Sequence, residues 1–376
     1  MAGIYVHIPY CKQACHYCNF FFSTNPKSRD ELIAALCREA ALQKDFLPSA
    51  IVETIYVGGG TPSLLSYEQL ARLFDALARN FSIAANAEIT LEANPDDLNE
   101  AYLKQLRNLF INRLSIGIQS FDDATLRMLN RPHDSQHAIR AVWAALDAGF
   151  DNINADFLYG LPHLSLQGWK STLEQALSLP VTHLSCYALT IEPRTVFAHW
   201  QKSGRWQPAD EETVACQMEL MMSFMEQAGW LHYEISNFAK SAQCISRHNS
   251  AYWLGKPYLG LGPSAHSFIG TSRQWNVSNI HKYISAISEG YIPCTREELT
   301  PVQRVNERLL TELRTCWGVD LSSFSNEIQK HLMERGKPFL EGGWLRLHED
   351  RLQLTKAGKL IADKIVLDLM LDYVEA

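Results

Sequence analysis

Gly3-Ile-Tyr-Val-His-Ile-Pro9 runs through Tyr10 directly into Cys11-Lys-Gln-Ala-Cys15-His-Tyr-Cys18. The first run is apolar and β-branched, as a buried strand requires. The second is a CxxxCxxC loop leaving that strand, and it delivers three thiols to one point. Cysteine thiolates at such short spacings hold iron–sulfur clusters, and a four-iron cubane tethered by three of them keeps one iron free of protein ligands. The alternative is a structural zinc site with His16 or His7 as its fourth ligand. Zinc motifs usually carry a second C-x2-C pair, and none follows here.

Outward from the first run, residues 4–8, five more apolar runs lie at 54–57, 88–92, 113–118, 152–158 and 183–189. Between them, stretches such as Glu31-Leu-Ile-Ala-Ala-Leu36, Leu70-Ala-Arg-Leu-Phe74 and Ala138-Ile-Arg-Ala-Val142 place apolar residues at helical spacing. Asp134 and Ser135 are candidate N-caps for the last of these, and Gly149 its stop. Strands alternating with helices predict βαβ units and a parallel sheet. Six units fall short of a closed eight-stranded barrel. The expected fold is therefore α/β, a partial, open (β/α)6 TIM-like barrel.

Active sites of such barrels sit at the C-terminal strand ends. Here those ends read Pro9-Tyr-Cys11, Gly58-Gly-Gly-Thr-Pro62, Glu92-Ala-Asn-Pro95, Gln119-Ser-Phe121, Asp156-Phe-Leu-Tyr-Gly-Leu-Pro162 and Tyr187-Ala-Leu-Thr-Ile-Glu-Pro193. The glycine run lets backbone N–H groups approach a polar ligand with no Cβ in the way. Taken alone, it is equally a tight turn.

The 376 residues exceed one typical domain, and 47% hydrophobic with 20% charged residues is a globular composition. Lys and Arg number 34 against 41 Asp and Glu, a net charge of −7, which argues against nucleic acid as a partner. No apolar run is long enough for a membrane span, so any membrane contact would come through a partner. Six further cysteines (Cys37, Cys186, Cys216, Cys244, Cys294, Cys316) are scattered, as expected of reduced, mostly buried thiols in the cytoplasm.

Three segments are expected. Residues 1–230 form the barrel and end in a long helix at 210–228. Residues 231–299 are rich in glycine and aromatics and pack on the barrel. Residues 300–376 form a small winged-helix-like α+β domain, with helices at 301–315 and 323–335 and a hairpin from Gly342-Gly-Trp-Leu-Arg-Leu347 and Arg351-Leu-Gln-Leu354. That tail carries 11 Lys/Arg and 12 Asp/Glu, so it reads as a lid or docking module rather than a DNA reader.

Five motifs together carry a family resemblance. They are Tyr5-Val-His-Ile-Pro-Tyr-Cys11-x3-Cys15-x-Tyr-Cys18, Gly58-Gly-Gly-Thr-Pro62, Ser115-Ile-Gly-Ile-Gln-Ser-Phe121, Asp156-x2-Tyr-Gly-Leu-Pro162 and Tyr258-Leu-Gly-Leu-Gly262. The chain resembles the radical S-adenosylmethionine (SAM) superfamily and, within it, the group related to anaerobic coproporphyrinogen III oxidase. Phe20 stands where the oxidases have a further cysteine. The chain opens on its first strand, with no room before Ile4 for their N-terminal extension. His248-Asn-Ser-Ala-Tyr252-Trp253 matches the HNxxYW motif of the heme chaperones in this group.

The resemblance implies a [4Fe-4S] cluster on Cys11, Cys15 and Cys18 whose free iron chelates SAM, with reductive SAM cleavage as the cofactors' own chemistry. Tyr5 and Tyr17 match positions near SAM. Gly59, Gly60 and Thr61 would meet its amino-acid end, with Glu92 as a polar anchor. Gln119, Arg131, Asp156 and Ala188 match further SAM-contacting positions. Read without the family, Glu92 and Asp156 are equally helix caps and Arg131 a surface ion pair. His248 is the expected heme ligand, with His266 or a scattered cysteine as alternatives. The implied function is a heme chaperone that passes heme to acceptors such as respiratory enzymes. The rival is oxygen-independent decarboxylation of coproporphyrinogen III.

Overall fold

The computed structural model describes residues 2–47 and 51–372. Residue 1 and residues 373–376, at the outer ends of the first and third expected segments, lie outside the described residues, as do residues 48–50.

Strands β1 (Ala2–Ile8), β2 (Val52–Gly59), β3 (Ile83–Ala93), β4 (Arg113–Gln119), β5 (Ile153–Tyr159) and β6 (His183–Ala188) pair in parallel in chain order. They are the six runs expected from the sequence. Their interiors are buried on both faces, as strands flanked by helices require. The crossovers between successive strands contain the helices Arg29–Leu42, Tyr67–Asn80, Glu100–Asn108, Ser135–Asp147 and Leu166–Ser178. Local signals set their ends. Ser66 and Gln69 form a capping box, and Asp134 accepts a hydrogen bond from the His137 N–H. The result is the open, barrel-like α/β core.

The sheet continues past both edges of that core. β7 (Leu231–Glu234) and β8 (Asn237–Ala239) add antiparallel strands beside β6. On the far side β9 (Tyr258–Leu261) lies parallel to β1, followed by the antiparallel β10 (His266–Phe268), β11 (Ser272–Asn276) and β12 (Cys294–Glu298). Twelve strands form one sheet. The segment expected only to pack on the barrel thus supplies backbone partners to β1 and β6. This satisfies N–H and C=O groups that an open barrel leaves unpaired. The helix Arg247–Trp253 links the two sets of edge strands.

Beyond residue 300 the helices Pro301–Glu312, Asn326–Glu341 and Ala362–Leu369 surround a small antiparallel sheet of β13 (Val319–Asp320), β14 (Leu345–His348) and β15 (Arg351–Leu354). This winged-helix-like unit has its own core, including Leu309, Leu332, Leu352 and Ile365. Arg314 fastens it to the barrel edge through an ion pair with the buried Glu234 at 2.9 Å.

Candidate cofactor site and adjoining cleft

A cavity of about 430 Å³ opens at the C-terminal ends of the parallel strands and is lined by Cys11, Cys15 and Cys18. The loop that carries them is anchored through its backbone. Cys11 N donates to Ser23 O at 3.0 Å, His16 N to Leu129 O at 3.2 Å, and Asn130 Nδ2 to Ala14 O at 2.7 Å. All three thiols are free. Burial pushes Cys11 up to about 11 and raises Cys18 as well. Thiols so desolvated ionise when cationic charge stands beside them, which a metal cluster supplies. The Arg131 guanidinium adds to this, with Nη1 3.4 Å from Cys15 Sγ.

The single-ion zinc alternative lacks an assembled fourth ligand. Among the described residues no three His, Cys, Asp or Glu side chains converge on one ion. His16 lines no part of the cavity, with its ring packed against Trp200 at 4.8 Å and its Nδ1 bonded to Met128 O at 2.8 Å. Both nitrogens of His7 are engaged, by Tyr5 OH at 2.9 Å and Phe21 O at 3.0 Å. The donor set fits a cubane held at three corners better than one tetrahedral ion.

Opposite the cysteines, Glu92 accepts from Tyr56 OH at 2.6 Å and from Gly59 N at 3.0 Å. Burial raises its pKa to about 7, and the neighbouring Asp156 adds to the shift. Asp156 accepts from Asn154 Nδ2 at 2.7 Å and Ser115 Oγ at 3.2 Å, and its pKa is also raised by burial. Neither carboxylate caps a helix. Gly59 sits at φ +114°, where a Cβ would come within 2.5 Å of His7 Nδ1, so only glycine fits. Arg131 is no surface ion pair, since Nη2 donates to Asn94 Oδ1 at 2.6 Å and Gly117 O at 2.8 Å. Tyr17, Gly60, Thr61, Gln119 and Ala188 line the same cavity. Gln119 does so in a left-handed conformation, φ +68°, of the kind that clusters at functional sites.

The structure therefore gathers all the expected site residues but two. Tyr5 and His248 line no part of this cavity. His248 is 1% exposed. Its Nδ1 pairs with Thr54 Oγ1 at 2.8 Å and its Nε2 with Tyr252 OH at 2.8 Å, while its ring stacks on Tyr56 at 5.1 Å. The Glu88 carboxylate, accepting from the Arg247 and His248 N–H groups, turns the start of the helix inward. In this arrangement neither nitrogen of His248 is open to iron. The cavity also contains Asn94, Ser115, Asn154 and Tyr187, which motif reading did not single out. Asn94 and Tyr187 carried only the signal of strand-end position, at the ends of β3 and β6, whereas Ser115 and Asn154 sit in the first halves of β4 and β5, away from the strand ends where site residues were sought.

A second cavity, a cleft of about 1250 Å³, adjoins the first. Tyr5, Phe21, Tyr252, Trp253, Tyr258 and Phe268 wall one side, and the helix Pro301–Glu312 the other. Phe20, 70% exposed, lines both cavities. His266 lies in the cleft, whereas the six cysteines outside the loop line neither cavity.

Three cysteines over the mouth of an open parallel barrel, facing glycine and carboxylate groups at the strand ends, define a radical SAM protein. The sequence model of the Radical SAM superfamily matches residues 5–176, and that of the HemN C-terminal domain matches residues 299–361. Coproporphyrinogen III oxidase (HemN) from Escherichia coli, a radical SAM enzyme, has the same fold, with a TM-score of 0.84 over 98% of this chain and 90% of that one at 24% identity. The chain belongs to the family of the heme chaperone HemW. It is 36% identical to the HemW of Bacillus subtilis (strain 168), covering 97% of this chain and 98% of that one. It is 34% identical to the HemW of Mycobacterium tuberculosis (strain H37Rv), covering 98% and 94%.

Proposed function

We propose that the chain is a cytoplasmic heme chaperone that binds heme and passes it to acceptor proteins such as respiratory enzymes. In this reading Cys11, Cys15 and Cys18 hold a [4Fe-4S] cluster, and SAM lies against Gly59, Gly60, Thr61 and Glu92. Cofactor binding belongs to residues 1–230, and residues 231–299 and 300–376 serve the cargo. When bound, the cluster and SAM supply reductive cleavage of a sulfonium. The chain's own part is to orient SAM: Glu92 meets its ammonium group, the Gly59–Thr61 backbone its carboxylate, and the aromatic side chains exclude water.

The observation that carries this reading is the pair of cavities meeting at Phe20, one rimmed by the three thiols and the strand-end glycines and carboxylates, the other large and aromatic. An oxidase would need one cavity in which substrate meets the cofactors; a chaperone can keep its cargo beside them. The names of the full-length relatives support the same choice. No helix among the described residues is long and apolar enough to cross a membrane.

The test is anaerobic reconstitution with iron and sulfide, followed by incubation with SAM and coproporphyrinogen III, and separately with hemin. Hemin binding without decarboxylation is the expected result. Conversion to protoporphyrinogen IX would establish the oxidase instead.

A further inference from the structure

We propose that heme sits in the large cleft, with His266 as its axial iron ligand and Arg304 as the partner of a propionate. The inference rests on the chaperone reading above and assigns its cargo site. The cleft, at about 1250 Å³, exceeds the range of ~300–1,000 Å³ usual for small-molecule pockets, as a macrocycle requires. Tyr252, Trp253, Tyr258 and Phe268 offer flat apolar faces to a porphyrin. The Trp253 indole N–H is buried there with no hydrogen-bond partner.

Two histidines line the cleft. His7 has both nitrogens hydrogen-bonded, to Tyr5 and Phe21. His266 is exposed, and neither of its nitrogens has a partner among the described residues. Its ring is held by stacking on Trp275, with centroids 6.0 Å apart. Partial desolvation within the cleft and the nearby Arg273 lower its pKa, which favours the neutral imidazole that binds iron. Its backbone is placed by Gly260, where a Cβ would fall 2.0 Å from His266 O, so the strands β9 and β10 approach this closely only around glycine.

The charges of the cleft sort the same way. Arg273 is engaged by Glu297 and Glu307, and Arg308 by Glu312. Arg304, exposed on the helix that forms the opposite wall, has no acidic partner among the described residues. A free guanidinium suits a carboxylate in bidentate geometry. His266 and Arg304 thus supply the iron ligand and the propionate anchor from two different segments of the chain.

The experiment is a titration of cluster-reconstituted protein with hemin and with iron-free protoporphyrin IX, followed by absorption and electron paramagnetic resonance. Wild type is expected to give a histidine-ligated heme spectrum. His266→Ala should lose that spectrum and weaken hemin at least about tenfold more than it weakens the metal-free porphyrin, a difference of about 1.4 kcal/mol. His248→Gln should keep the ligation spectrum. Arg304→Glu should weaken hemin but not its dimethyl ester. Comparing iron-containing with iron-free porphyrin separates lost ligation from misfolding. Wild type that binds no hemin overturns the chaperone reading itself. Wild type that binds it, with His266→Ala spectrally unchanged, overturns only the site proposed here.

Discussion

His248 Nε2 and the Tyr252 hydroxyl lie 2.8 Å apart, one helical turn from each other. Thr54 Oγ1 closes the other side of the ring at 2.8 Å, and Tyr56 stacks beneath it. Tyr56 in turn donates to Glu92 in the cofactor cavity, whereas Tyr252 walls the cleft. Contacts therefore run unbroken from Glu92 through Tyr56 and His248 to Tyr252. In this structure the HNxxYW histidine joins the two cavities.

His248→Ala removes both hydrogen bonds and leaves a hole beside Tyr56, which should cost about 2–4 kcal/mol of unfolding free energy. Burial also pushes His248 down to about 3. The folded chain then binds its proton less readily than the unfolded one. Its contribution to stability is complete above about pH 6.5 and shrinks as pH falls toward 3. Urea unfolding across that range should show a shallower acid decline for His248→Gln than for wild type.

Glu92 has the opposite sign. Its pKa is raised from 4.5 to about 7 in the folded chain, so its contribution is complete below about pH 4.5 and is lost as pH rises through 7. Glu92→Gln should be more stable than wild type at pH 8, by up to about 3 kcal/mol. The same variant should bind SAM more weakly at pH 8, because an ionised carboxylate is what meets an ammonium group. Wild-type SAM affinity should rise through pH 7, and the variant's should stay flat. Isothermal titration at three pH values checks both.

Arg131 ties the cysteine loop to the strand ends by contacting Cys15 Sγ, Asn94 Oδ1 and Gly117 O. Arg131→Met keeps the stem but leaves those acceptors unpaired, at about 1–3 kcal/mol. Iron and sulfide retained per chain after reconstitution should fall, with the far-ultraviolet dichroism unchanged. Replacing any of Cys11, Cys15 or Cys18 with alanine should abolish the cluster and equally spare the fold, since the loop lies outside the sheet.

The core strands were legible because each run is apolar on both faces and bounded by polar or glycine residues, and Asp134, Gly149 and Asp210 mark helix ends as expected. The edge strands were not. β8 and β10 span three residues each and carry no period-two signal, and backbone pairing with β6 and β9 is what forms them. The helix Asn326–Glu341 outlasts its expected end at 335 and carries Pro338 inside it; proline is normally a stop signal, yet tertiary packing of Phe339 holds the last turn. The thiol loop and the strand-end polar residues were readable from motif and position. Which nitrogens of His7, His248 and His266 are free was not, because it depends on Phe21 and Thr54, brought close only by the fold, as well as on the local neighbours Tyr5 and Tyr252.

Arg314 gives the last prediction, on how the tail is held. Its guanidinium meets the Glu234 carboxylate, which is 1% exposed and also accepts from Ser236 N and Asn237 Nδ2. Ile235 N donates to Arg314 O at 3.1 Å, so backbone and side chain act at the same junction. Arg314→Ala leaves a buried carboxylate with only neutral donors, a loss of about 3 kcal/mol. The backbone contact and the tail's own core survive, so the change should loosen docking without unfolding the module. Limited proteolysis should cut faster in the connection before residue 300, while hydrogen exchange within Asn326–Glu341 stays slow. Because the helix Pro301–Glu312, just before Arg314, lines the cleft together with Tyr252, hemin should also dissociate faster from Arg314→Ala than from wild type. Equal dissociation rates would mean that the tail plays no part in retaining the cargo.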